Sequence, residues 1–143
     1  MAMSIVTDKN KLTSACQTTS VLEGMEIGKR LLKILAQQPS GVGLAANQIG
    51  VDKRVCVVNV EKPWVLVNPR IVFAAGTVEF NEGCLSFPGQ YIITTRYEMI
   101  VVVADNHPRL LFFDSNENIL ECVCVQHEID HLNGITMHDR RKK

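Results

Sequence analysis

Apolar residues recur along the chain with two different periods. From Ser20 onward Leu22, Met25, Leu31, Leu32 and Leu35 follow one another at roughly helical spacing. Ser20 and Glu23, three apart ahead of that stripe, form a capping-box pattern, and Pro39-Ser40-Gly41 ends the helix. Gly24 and Gly28 weaken the helix a little, but four residues apart they let another element pack close. Short apolar runs then take over. Val55 to Val60, Val65 to Val67, Arg70 to Phe80 and Ile92 to Val103 are predicted as strands, the first two divided by Pro63. Ile119 to Val125 begins with a similar β-branched alternation, and Asn106 to Arg109 and Asp114 to Asn118 are turn-like. A second helix is predicted around Val123 to Asn133, stopped by Gly134. Two helices and several strands with hairpin-length connections predict an α+β fold, with antiparallel or mixed strands packed around the second helix and a further helix near the N-terminus. No repeat or long linker interrupts the pattern, so residues 1–143 read as one domain.

Composition narrows the class. The chain is 46% hydrophobic and 21% charged, the balance of a globular protein. Fifteen Lys and Arg offset fifteen Asp and Glu, which removes the electrostatic footprint of a DNA-binding protein. No apolar run approaches the ~18 residues that a membrane span needs. Met1 to Asn10 lacks the uninterrupted apolar region of a secretory signal, and no Arg precedes Arg30, which disfavours an organellar transit peptide. Five cysteines, an odd number without framework spacing, point to free thiols in a reducing compartment. The cytoplasm is the expected location.

The sharpest chemical signal is Gln126-His127-Glu128-Ile129-Asp130-His131. On a helix His127 and His131, at i and i+4, share one face and can reach one metal, while Glu128 projects beside them, able to hold a water. A third ligand is still required. His138 is the only downstream histidine, and nothing after His131 resembles an extended metalloprotease signature. Upstream, Glu82-Gly83-Cys84-Leu85-Ser86 places a Cys beside Gly in a polar turn, although a lone Cys is more often a small buried hydrophobe. The third segment, Gly41 to Gln48, lacks the Lys-Ser/Thr of a phosphate loop and by itself reads as a helix end followed by a tight loop.

Together these three segments resemble the peptide deformylase family. Gly43-Leu-Ala-Ala-Asn-Gln48 is similar to its first motif (G-φ-G-L-A-A-x-Q), Glu82-Gly-Cys-Leu-Ser86 to its second and Gln126-His-Glu-Ile-Asp-His131 to its third, in the family's order and spacing. The resemblance implies that Cys84, His127 and His131 bind one divalent metal, Fe²⁺ in the native enzyme, with Zn²⁺, Ni²⁺ or Co²⁺ able to substitute. Ligand type alone suggests Zn²⁺. The resemblance further implies Glu128 as general base and, as oxyanion donors, the Gln48 amide and the Leu85 backbone N–H. Val42 and Gly43 align with the backbone strip that pairs with the peptide, and Val123 and Cys124 with the wall of the methionine pocket. The substrate implied is the N-formyl-methionine end of nascent chains, and the product is formate. Cys16, Cys56 and Cys122 are expected to be core thiols.

Two positions depart from the family pattern. Tyr91 stands where many bacterial members carry Arg. The chain stops at Lys143, where typical members continue into a further helix, so the resemblance is to a short form of the kind phages encode. A short form implies full activity on short peptides, weak ribosome contact through Arg140 to Lys143, and work in a bacterial cytoplasm, including that of a phage-infected host. Two other readings use the same residues. A small His-Glu-x-x-His metalloprotease is disfavoured by Cys84, because such proteases take N or O third ligands. A non-catalytic module stapled by metal is disfavoured by Glu128 and Gln48, which metal holding does not require.

Overall fold

The computed structural model describes residues 5–143. The N-terminal reading over Met1–Ser4 lies outside the described residues. Helix α1 spans Val21–Ala36, and the Ser20 hydroxyl accepts the Glu23 N–H at 3.1 Å, as the capping pattern predicts. Strands β1 (Gly43–Ala45), β2 (Val55–Asn59) and β3 (Pro63–Val67) form one antiparallel sheet in that order. Strands β4 (Arg70–Glu82), β5 (Ile92–Ala104) and β6 (His107–Asp114) form a second, also antiparallel. Helix α2 spans Ile119–Leu132.

The β2 sequence explains the layering. Val55 and Val57 pack with Ile27, Leu31 and Leu35 of α1, whereas Cys56 and Val58 pack with Val125, Ile129 and Leu132 of α2. A strand covered on both faces reads as a continuous apolar run, which is the Val-Cys-Val-Val pattern. The Gly24 and Gly28 face of α1 lies on β3: a Cβ at Gly28 would sit 2.4 Å from Val65 Cγ1, and one at Gly24 2.6 Å from Val67 Cγ1. The close approach expected of that glycine pair is present. Cys16, Cys56 and Cys122 are free and buried, as core thiols should be.

The structure corrects four local readings. Ile119 to Val125 is not strand-like but the first two turns of α2, begun by the Asn118 side chain, which accepts the Glu121 N–H. Every residue from Cys122 to Leu132 is buried, so this helix has no polar face to reveal its period. The runs at Val55 and Val65 are separate strands as predicted, but Pro63 belongs to the second rather than lying between them. It starts β3, an edge strand whose first position needs no ladder donor. Asn106 to Arg109 is not all turn, because β6 begins at His107, while the Asn106 side chain accepts from Val67 N–H and donates to the Val65 carbonyl. Finally, Gly41 to Gln48 contains β1, which pairs Gly43 with Val58, followed by a 3₁₀ turn over Ala46–Ile49. Three residues are too few to show an alternation, so only the pairing with β2 reveals that strand.

Candidate metal centre

Three separate parts of the chain converge on one point. Helix α2 presents His127 and His131 one above the other, the β4–β5 connection presents Cys84, and the 3₁₀ turn after β1 presents Gln48. Cys84 Sγ lies 3.3 Å from His131 Nε2, which lies 3.2 Å from His127 Nε2, and the three ligand atoms fall within 4.8 Å of one another. Tetrahedral bonds of about 2.0–2.1 Å to nitrogen and about 2.3 Å to sulfur would set such atoms roughly 3.3–3.6 Å apart. The donor set therefore fits a single divalent ion.

The surroundings set the orientation of that donor set. His127 Nδ1 donates to Glu82 Oε1 at 2.7 Å, which leaves Nε2 as the lone-pair nitrogen facing the site. Glu82, buried at the end of β4, also accepts two hydrogen bonds from Arg96, at 2.6 and 2.8 Å, and one from the Thr94 hydroxyl. Burial alone would raise the pKa of Glu82, but the bonds from Arg96 and His127 outweigh that and hold it down at about 2. Arg96 continues to Asp130, and Asp130 to Arg140. Burial pulls His131 well below the usual imidazole range, with the neighbouring His127 adding to the effect. Burial pulls His127 the same way, but Glu128, Cys84 and Glu82 overcome it and hold it high.

Glu128 is the next residue along α2, 3% exposed, and its Oε1 has no hydrogen-bond partner among the described residues. Burial pushes its carboxyl up to about 7. Gly43 makes room for it, since a Cβ there would lie 2.6 Å from Glu128 Oε2. Gln48 is locked by two contacts: its Oε1 accepts the Ala45 N–H at 2.9 Å and its Nε2 donates to the Ser86 hydroxyl at 3.0 Å. The same Nε2 lies 3.6 Å from Cys84 Sγ, so the amide borders the metal position.

A cleft of about 600 Å³ opens over these groups. It is lined by Val42, Gly43, Gln48, Cys84, Leu85, Val123, Cys124, His127 and Glu128, so every residue to which the resemblance gives a role lies along it except His131, which is fully buried beneath. Tyr91 stands at the rim, 70% exposed, with its ring against Gly83. Sequence reasoning missed Glu82, Ser86, Arg96, Asp130 and Arg140 as members of the site. Glu82, Ser86 and Asp130 were inside the motifs already singled out, whereas Arg96 and Arg140 carried no local signal.

A Cys-His-His donor set, its histidines buried and its cysteine half-buried, with a carboxylate beside it at the floor of a cleft, is the arrangement of a mononuclear metal site of hydrolytic type. Comparison with known proteins gives the family. A model of the polypeptide deformylase family matches residues 3–143. A peptide deformylase of Hydrogenovibrio crunogenus is 44% identical over 99 residues, which are 66% of this chain and 57% of that protein's length. One from Neisseria meningitidis is 38% identical over 125 residues, 80% of this chain and 74% of the relative. The crystal structure of a class I type b peptide deformylase from Acinetobacter baumannii superposes with a TM-score of 0.86 at 27% identity, covering 98% of this chain and 99% of that one. The chain belongs to the polypeptide deformylase family, hydrolases that remove the N-formyl group from nascent polypeptides. No helix among the described residues is long and apolar enough to cross a membrane.

Proposed function

We propose that this chain hydrolyses the formyl amide of N-formyl-methionyl peptides, with Cys84, His127 and His131 holding one divalent ion, Fe²⁺ in the cell. A bound ion of this kind makes water acidic enough to supply a nucleophile near neutral pH. Glu128 accepts the proton of the attacking water and passes it to the leaving amine. As the formyl carbon becomes tetrahedral its oxygen gains charge, and the Gln48 amide and the Leu85 N–H donate to it. Such a donor is worth about 3 kcal/mol when fixed in advance, and the bonds to Ala45 and Ser86 fix Gln48. Strand β1 is the edge of its sheet, so the Val42–Gly43 strip can pair with an extended peptide as an added strand. Val123 and Cys124 form the wall against which the methionine side chain packs.

The observation that carries this reading is Glu128 Oε1, buried and without a hydrogen-bond partner among the described residues, beside three converging donor atoms. A buried carboxyl oxygen is stable only with a hydrogen-bond partner, and the attacking water would be one. Five free thiols support a reducing, cytoplasmic setting. Weak ribosome contact through the basic tail would rest on Arg141 and Lys143, because Arg140 and Lys142 are already paired with Asp130 and Glu79.

The test is formate release from formyl-Met-Ala-Ser, with and without a chelator, by the wild-type chain and Glu128→Ala. The variant should retain its metal and lose turnover by about 10²–10⁴-fold, the range for removal of a general base. Near-normal turnover in Glu128→Ala, or activity indifferent to the chelator, would overturn the assignment.

A further inference from the structure

Beyond the ligands, the structure contains an unbroken chain of charged hydrogen bonds that begins at the surface and ends on a ligand. Arg140 Nε donates to Asp130 Oδ2 and its terminal nitrogen to Asp130 Oδ1, both at 3.0 Å, a two-pronged grip. Asp130 Oδ2 also accepts from Arg96, whose other donors hold both oxygens of Glu82. Glu82 accepts from His127 Nδ1. Four of these five residues are buried, whereas the Arg140 side chain is 42% exposed.

The position of Arg140 is itself fixed. Beyond the 3₁₀ turn Met137–Arg140 the chain lies beside the near end of β5, where β6 does not reach. Arg141 bridges to Thr94 there, and the Lys142 N–H donates to the Ile93 carbonyl at 2.8 Å. The tail thus adds two residues to the ladder next to Arg96 and brings the Arg140 guanidinium onto Asp130.

We propose that Arg140 is a positioning residue for the metal centre, acting through Asp130, Arg96 and Glu82 to hold the His127 ring with Nε2 toward the ion. The reason is geometric. Asp130 Oδ2 is shared between two arginines, so Arg140 fixes where that oxygen sits and therefore where Arg96 presents its fork to Glu82. Groups that orient a ligand from outside the coordination shell commonly change metal affinity by 10–100-fold. Arg140 is further removed, so the expected effect is near the lower end.

The inference rests on His127 being a metal ligand, and the experiment separates the two claims. The chain is loaded with Co²⁺, metal content is measured, and release to a chelator is timed for wild type, Arg140→Ala, Arg140→Lys and the control Arg141→Ala. Arg140→Ala should bind one ion but release it about tenfold faster, with a shifted ligand-field spectrum. Arg140→Lys should fall between it and wild type, and Arg141→Ala should match wild type. In the metal-free protein the proton resonance of His127 Nδ1–H should move in Arg140→Ala, a readout that general loosening of the tail does not produce in Arg141→Ala. Because Asp130 keeps Arg96 as a partner, Arg140→Ala should remain folded; if it does not, Arg140→Lys carries the same comparison. Combined with Glu82→Gln, Arg140→Ala should add little further release, since both act on one chain of contacts. Unchanged release and resonance, or fully additive effects with Glu82→Gln, overturn the inference. A wild-type chain that binds no metal overturns the ligand reading and this inference with it.

Discussion

Gly43 shows how much chemistry one missing side chain permits. It sits in β1 opposite Val58, and the space a Cβ would occupy is already held by Glu128 Oε2 at 2.6 Å and Cys124 Sγ at 2.7 Å. Real side chains do not approach that closely, so Gly43→Ala must displace the Glu128 carboxylate, the Cys124 thiol or the strand. Glu128 is the proposed base, and a misplacement of about 1 Å can cost about 10²-fold in rate. Gly43→Ala should therefore lower formate release by at least about tenfold while metal content and circular dichroism stay near wild type. Loss of metal in parallel with activity would place the damage in the ligands rather than the base. The motif glycine is thus a statement about the distance between β1 and α2. Its neighbour Gln48 makes the same point with polar contacts, since Ala45 and Ser86 between them leave its amide one orientation.

At the level of elements, the contact of α1 with β3 tests whether close packing or helix propensity dominates. Gly28 in a helix interior costs about 1 kcal/mol relative to Ala, so the substitution would help a free helix. Here the added methyl meets Val65 Cγ1 at 2.4 Å. Overpacking typically costs 1–3 kcal/mol and should outweigh the propensity gain. Gly28→Ala should lower the urea midpoint, and Gly28→Ala with Val65→Ala should recover part of the loss. If the double variant is destabilised by the sum of the two singles, the two positions do not contact each other. The same helix shows what is legible in a sequence. Its cap, stripe and stop are local, so α1 was predicted nearly to the residue. The first turns of α2 were not, because the exposed positions of its first turn, Ile119 and Leu120, are themselves apolar and the Val-Cys-Val run that follows is buried and reads as extended. The same division separates the proposed ligands and base from the residues that support them. His127, His131 and Glu128 lie within one helical turn and Cys84 within a short motif, so spacing alone drew attention to them. Arg96 looks like any polar position in an alternating strand. Its partners Glu82 and Asp130 are distant in the chain and come together only through the β4–β5 pairing and the seating of α2.

Across the whole molecule, the converging donor atoms of Cys84, His127 and His131 lie where the two sheets are joined through α2. That helix packs against β2 on one side and against β5 and β6 on another, and Cys84 extends to it from the β4–β5 connection. An ion bound by Cys84, His127 and His131 thus ties the second sheet's loop to the helix that also carries the first sheet. Such a cross-link binds the folded chain and not the unfolded one, so it should raise stability by mass action. At a free ion concentration 100-fold above the dissociation constant the gain is about 2.7 kcal/mol. For a domain of this size each kcal/mol moves the melting midpoint by roughly 2–4 °C. Metal removal by a chelator should therefore lower the midpoint by about 5–10 °C, read by differential scanning calorimetry. Cys84→Ser replaces a thiolate with a hydroxyl, a far weaker ligand for these ions. It should melt near the chelated wild type and respond little to chelator, whereas Cys56→Ser, whose thiol is not one of the three donors, should keep the full response. If Cys84→Ser shows the same chelator-dependent shift as wild type, the stabilising ion sits elsewhere and the two sheets are joined by packing alone.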